Sequence, residues 1–177
     1  DFGKDVLPKM LAAGEKMVSY TFDGYWKDVG TINSLFESNM DLLGDSPNFD
    51  LSDASWRIRS RSPIAPPHYI AESGRVVNSI VASGCEIEGT VESSILSNDV
   101  IIKKGAVVKN SVIFSESIID ENATVDYSII DEKVNVSRNA KIGSGRYDEL
   151  KIAVLGRDIT VSEGAIVDAG NIIDESI

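Results

Sequence analysis

From about residue 71 onward the aliphatic positions keep a beat of six. Ile95, Ile101, Val107, Ile113, Ile119 and Val125 stand six apart, and Val81 to Ile87 repeats the interval. Ile130, Val136 and Ile142 carry it on after a five-residue step, and Val161, Ile166 and Ile172 resume it near the end. A helix buries every third or fourth residue and a two-sided strand every second, so six fits neither. It is the period of a hexapeptide parallel β-helix, in which one aliphatic side chain per hexad faces a shared core. Small or polar residues then make the corners, here Gly84, Gly89, Gly105, Asn122 and Asn139. A single short strand buries little, so the coils must stack before any is stable. The open ends need a cover, expected from the first part of the chain or from another subunit. Residues 143–158 break the hexads and read as a loop thrown out of one coil.

The first part follows a different pattern, mixed α and β. "DVLPKMLAAG" predicts a short helix with Asp5 as cap, Pro8 in its first turn and Gly14 as its stop. "MVSYTF", residues 17–22, alternates as a strand does, and Asp23-Gly24 is a turn pair before "YWKDV", a second extended piece. From Thr31 the pattern turns helical, with Ile32, Leu35, Phe36, Met40 and Leu43 on one face. Thr31 is the expected N-cap and Gly44 the stop. Turn formers, three arginines (Arg57, Arg59, Arg61) and Pro63, Pro66 and Pro67 follow, with Trp56 too apolar to stay in solvent. The predicted organisation is residues 1–48, a connector 49–70, and the β-helix 71–177.

Charge narrows the partners. The 177 residues carry a net charge of -11, which argues against nucleic acid, whose phosphates need clustered Lys and Arg. A small phosphorylated substrate stays open, because a metal ion and a few local cations offset its charge. No apolar run approaches membrane-spanning length. The start shows no basic-then-apolar leader and the one cysteine, Cys85, has no partner for a disulfide, so the expected compartment is the cytoplasm. Cys85 itself reads as a small core residue. The chain opens on Asp1 rather than Met and is expected to be a piece of a longer protein.

Few residues carry chemistry. His68 precedes the repeats, which themselves hold no histidine, so a histidine base of the kind used by β-helix acyltransferases is missing from them. Lys103, Lys104 and Lys109 flank Gly105 and fit either an anion site or a solvated face. Arg146 and Tyr147 lie in the interrupting loop, where functional residues gather on a rigid scaffold. "GYWKDVGT", residues 24–31, is the most pointed stretch. One account of it is a turn, an aromatic pair and a helix cap. The other places Asp28 at the end of an extended segment just before a helix N-terminus, where phosphates and their metals bind.

Taken together, "DFGKDVLPKML" (1–11), "GYWKDVGT" and "LFESNMDLL" (35–43) resemble the end of the catalytic domain of the glucose-1-phosphate adenylyltransferase family. "WRIRSRSPIAPP" (56–67) and "VNSIVASGCEIEGTVESSIL" (77–96) are similar to that family's connector and the start of its left-handed β-helix. The resemblance implies a mainly β fold, a left-handed parallel β-helix preceded by a small α/β segment ending a nucleotidyltransferase domain. It implies formation of ADP-glucose and pyrophosphate from ATP and glucose 1-phosphate, the entry to bacterial glycogen synthesis, with Mg²⁺ as cofactor. By position, Asp28 matches a Mg²⁺-binding aspartate, and Trp26 and Lys27 match the sugar-phosphate side of the pocket. The β-helix is implied to serve assembly, as a homo-oligomer and in the full-length enzyme a tetramer, and effector binding. Arg59, Arg61 and Arg146 are the candidate effector residues, although Asn98-Asp99 stand where some activated members have an arginine. A non-catalytic regulatory subunit and another sugar-phosphate nucleotidyltransferase remain alternatives; the intact "DVGT" acid favours the catalytic type. The family's Gly-rich nucleotide loop is absent from these 177 residues. The chain alone is therefore expected to form no ADP-glucose, which a coupled pyrophosphate-release assay checks.

Overall fold

A computed structural model of the chain describes residues 1–51, 53–55, 63–143 and 150–177. Within them, short strands of two or three residues wind into three parallel sheets of six strands each. One sheet stacks Tyr69–Ile70, Glu86–Ile87, Ile101–Ile102, Ile118–Ile119, Asn135–Val136 and Thr160–Val161 in that order. The other two do the same with the strands that follow each of these, so every coil has three sides. The backbone N–H groups of each coil bond the carbonyls of a neighbouring coil: Ile101 N donates to Ser117 O at 3.0 Å, and Ile118 N to Val134 O at 2.8 Å. The side chains inside form one continuous aliphatic column.

The beat of six holds within a coil and slips once per turn. Ile101 pairs with Ile118 and Ile118 with Asn135, a repeat of 17 residues rather than three full hexads. The inward positions are Leu96, Ile102, Val108, Ile113, Ile119 and Val125, each at most 1% exposed. The sequence-based frame was therefore right at Ile113, Ile119 and Val125. It was one residue early at Ile95, Ile101 and Val107, because the step from Val108 to Ile113 is five, and early again at Ile166 and Ile172, which are 66% and 60% exposed while Val167 and Ile173 pack inward. Across the interrupting loop the repeat lengthens, with Asn135 paired to Thr160.

The five-residue side has a chemical cause. Its corner carries Ser94, Ser111 and Ser128, all fully buried. Each hydroxyl donates to the carbonyl two residues back: Ser94 to Glu92, Ser111 to Lys109 and Ser128 to Asp126, at 2.8, 2.5 and 2.8 Å. Two of the hydroxyls also accept from the serine amide of the next coil at 3.1 Å, Ser94 from Ser111 and Ser111 from Ser128. The hydroxyls thus supply partners that a shortened backbone cannot reach, which keeps buried polar groups satisfied. Among the described residues no buried side-chain N or O atom lacks a partner. The residue before each serine takes a left-handed backbone, as at Asn110 with φ 43°. Gly105 and Asn122 occupy another left-handed corner, at φ 78° and 58°. Gly89 is needed for a different reason: a Cβ there would lie 2.4 Å from the carbonyl oxygen of Ala106.

The first part of the chain is helical and extended, not mixed α and β. Asp1 caps a single π-helical turn, Phe2–Val6, by accepting from Lys4 N at 2.8 Å, and that turn runs into α1, Leu7–Ala12. The cap is therefore Asp1 and not Asp5. Residues 17–22 and 25–29, expected as strands, are extended without ladder partners; Val18 and Tyr20 are 86% and 90% exposed. A strand exists only where a neighbour takes its hydrogen bonds, and the described chain offers these segments none. α2, Ile32–Met40, begins as expected at Thr31, which forms a reciprocal capping box with Ser34. Its Phe36 is 4% exposed and packs on Val112, Ile129 and Ile152 of the β-helix.

The expected cover for the solenoid ends is also placed differently. α2 lies on a flank, where the outward residues of one sheet are apolar, instead of across an end. At the C-terminal end the tail folds back on Thr160–Val161: Ile177 N donates to Thr160 O at 3.1 Å, and Ser162 N to Ile177 O at 2.6 Å. Cys85 is a buried core residue, as expected, with its thiol directed at Ser97 O. Trp56, Arg57, Arg59, Arg61, Arg146 and Tyr147 lie outside the described residues. Replacing Ser111 by Ala strips a partner from the buried Ser128 amide and another from the Lys109 carbonyl. Each orphaned group costs about 1–3 kcal/mol, so the urea midpoint of Ser111→Ala should fall well below that of Ser79→Ala at the half-buried end of the ladder.

Candidate functional site

The stretch Gly24–Thr31 is held at both ends. Downstream, Thr31 begins α2, and its Oγ1 accepts from the Ser34 amide at 3.1 Å. Upstream, the Lys27 ammonium reaches Asp41 Oδ2 at 2.9 Å and Glu37 Oε2 at 3.2 Å. Glu37 and Asp41 are four residues apart at the C-terminal end of α2, hence on one face. The Tyr25 hydroxyl donates to the same Asp41 oxygen at 2.9 Å, and its ring lies 5.7 Å from that of Phe49. Asn48 closes the cluster, its side-chain amide donating to Asp41 Oδ1 at 3.0 Å.

Asp28 sits between these anchors and is exposed. Its Oδ1 accepts from the Gly30 amide at 3.0 Å, which fixes the rotamer with one oxygen. Trp26 is 76% exposed beside it. The segment therefore brings together an oriented carboxylate, an indole and the N-terminus of α2. The Lys27 charge, in contrast, is turned toward α2 and its two acids. Asp41 was not singled out by pattern, although it lies in the quoted "LFESNMDLL". Its place one residue past α2 gave no sign that residues 25 and 27 would fold onto it.

The electrostatics follow the contacts. The hydrogen bond from Lys27, ahead of those from Asn48 and Tyr25, holds the Asp41 carboxyl below the ordinary carboxylate range against a smaller opposing effect of burial. The same bond raises Lys27 above the ordinary lysine value. Burial, then the Asp41 hydrogen bond, pushes the Tyr25 phenol up.

A divalent cation fits this arrangement in one respect. Mg²⁺ is commonly held by one or two carboxylates together with substrate phosphates and water, and Asp28 offers one exposed, oriented carboxylate. Among the described residues no group of three or more His, Cys, Asp or Glu side chains converges on a metal position. By itself Asp28 could supply one ligand and not a complete cage. Elsewhere, His68 is exposed, and Lys109 pairs with Glu92 at 3.2 Å on the outer face of the β-helix. No described helix is long and apolar enough to cross a membrane.

Residues 1–45 match the family profile described as nucleotidyl transferase, and residues 67–167 the one described as GlmU-like, C-terminal hexapeptide. The chain is 46% identical, over all 177 residues, to glucose-1-phosphate adenylyltransferases of Bacillus cereus (strain Q1), Bacillus mycoides (strain KBAB4) and Bacillus anthracis. It spans 40% of the length of each.

A depressed Asp41 pKa contributes stability above the unfolded-state value that is lost as pH falls through the folded one. An NMR titration of the Asp41 carboxyl carbon should therefore show a midpoint below the ordinary carboxylate value, and Lys27→Met should move it back up.

Proposed function

Since this chain belongs to the GlmU-like, C-terminal hexapeptide family, and its first 45 residues carry nucleotidyl transferase sequence, we propose that it is the C-terminal part of a glucose-1-phosphate adenylyltransferase. The enzyme forms ADP-glucose and pyrophosphate from ATP and glucose 1-phosphate in the cytoplasm, for glycogen synthesis. The observation that carries this reading is the Asp28 carboxylate, held by the Gly30 amide immediately before a capped helix N-terminus, within the matched segment.

In the reaction a phosphate oxygen of glucose 1-phosphate attacks the α-phosphate of ATP in line, and pyrophosphate leaves; no enzyme-bound covalent species is needed. Mg²⁺, when bound, neutralises phosphate charge as it develops. Asp28 would hold the cation through its exposed carboxylate. The Gly30 amide fixes the Asp28 rotamer so that little reorganisation is needed on binding. Trp26 presents a rigid apolar face to the sugar phosphate. Lys27 acts at one remove on the sugar-phosphate side, because its ammonium is engaged by Asp41 and Glu37, and it contributes by holding the backbone that leads into Asp28.

The apolar surface of the first part supports a missing partner for it. Phe2, Leu11, Val18, Tyr20, Phe22 and Trp26 are each more than 60% exposed, more apolar surface than a finished domain leaves uncovered. The rest of a nucleotidyltransferase domain would cover it. The β-helix then serves as an assembly platform for a homo-oligomer, a tetramer, with Arg59, Arg61 and Arg146 as ligands for an anionic effector.

Asp28→Asn in the full-length enzyme keeps the shape of the side chain and removes its charge. Loss of a group one step further from a metal already costs about 10–100-fold. ADP-glucose formation should therefore fall by at least about 100-fold, and an unchanged rate would remove the proposed role.

A further inference from the structure

Asp41 is where three stretches of chain meet. Tyr25 and Lys27 reach its Oδ2 from the segment leading into Asp28, Asn48 reaches Oδ1 from beyond the helix, and Asp41 itself directly follows α2. Its side chain is 21% exposed, so these bonds are partly shielded from water. α2 is in turn fixed to the β-helix through Phe36. Lys27 and Thr31 thus anchor a span with only three residues between them, and Asp28 is the first of the three.

We propose that Asp41 is a positioning residue for Asp28: by holding Tyr25 and Lys27 on the end of α2, it fixes where the Asp28 carboxylate stands relative to the helix N-terminus. This rests on reading Asp28 as a metal ligand. The downstream anchor, the Thr31–Ser34 box, is local to the helix and survives without Asp41. The upstream anchor does not. Without Asp41, Tyr25 loses its acceptor, and Lys27 keeps only Glu37, one helical turn earlier. The backbone entering Asp28 then follows Lys27 along α2, and the bond between Asp28 Oδ1 and the Gly30 amide loses its fixed geometry. A purely structural role, tying the residues after α2 through Asn48, would leave Asp28 undisturbed.

The ¹⁵N-labelled 177-residue chain tests this without turnover, with Mn²⁺ alone as the probe. In Asp41→Ala the Gly30 amide should exchange with solvent faster. The Mn²⁺ concentration that half-broadens its signal should rise by about 10-fold, the lower end of the loss seen when a metal ligand's support is removed. Amides of Ser34 and Ile119 should keep their protection, showing that cap and core are intact. Asp41→Asn should behave like the parent chain, since its side-chain oxygen still accepts from Tyr25 and Lys27 while Asn48 turns over to accept from the new amide. If Asp41→Ala disturbs the fold, Tyr25→Phe/Lys27→Met removes the same anchor from the other side and should reproduce the Gly30 effects. Asp28→Asn separates the two ideas. If it leaves the Mn²⁺ broadening unchanged, the metal-ligand reading falls and the positioning role with it. If it abolishes the broadening while Asp41→Ala and the double variant leave Gly30 as in the parent chain, the positioning role alone is overturned.

Discussion

Each coil of the β-helix depends on the coil beside it to accept its backbone hydrogen bonds, and no coil has a hydrogen-bonded identity of its own. A strand of two residues cannot pay for its own ordering, yet a stack of them shares one aliphatic column and one continuous ladder on each of three sides. Everything else in the chain is fixed by reference to that stack. The corners hold only where left-handed backbone is tolerated. The serine corner holds only because hydroxyls replace the partners that a five-residue side leaves out of reach. α2 stands where it does because one face of the stack turns Val112, Ile129 and Ile152 outward.

That last contact matters most for function. A solenoid usually turns polar residues outward, and three aliphatics on its flank make a seat for the apolar face of a helix. α2 takes the seat with Phe36 and carries Thr31 at one end and Asp41 at the other. Both ends then act on the same eight-residue stretch: Thr31 closes it, and Asp41 draws in Tyr25 and Lys27. The carboxylate between them inherits its position from a rigid body that contributes no ligand itself. On the proposed reading, orientation by a scaffold would suit a cation met by a single carboxylate together with phosphates.

The β-helix was legible because its signal is long and periodic. Ile113, Ile119 and Val125 fell on the inward frame, and the corner residues were identified by type. The one-residue slip at Ile95, Ile101, Val107, Ile166 and Ile172 was not, since a 17-residue coil and three hexads differ by a single position that many aliphatics blur. Thr31 and α2 were legible from local chemistry, a hydroxyl before an apolar stripe. The strands at 17–22 and 25–29 were misread because alternation states that a segment suits a sheet, not that a neighbour is present to form one. In the candidate site, Asp28 was singled out through its motif. Asp41 was not, because nothing in sequence spacing brings position 41 against positions 25 and 27.

The sequence by itself settled the repeat, the helix cap, the corner chemistry and the family resemblance, all of which depend on residues within a few positions of one another. Tertiary structure alone decided the slip in register, the flank on which α2 rests, and the direction in which Lys27 points. Those outcomes turn on contacts between residues far apart in the chain, Phe36 with Ile152 and Lys27 with Asp41. Such contacts are chosen by which surfaces remain unpartnered after the coils have stacked, and no local pattern records that choice.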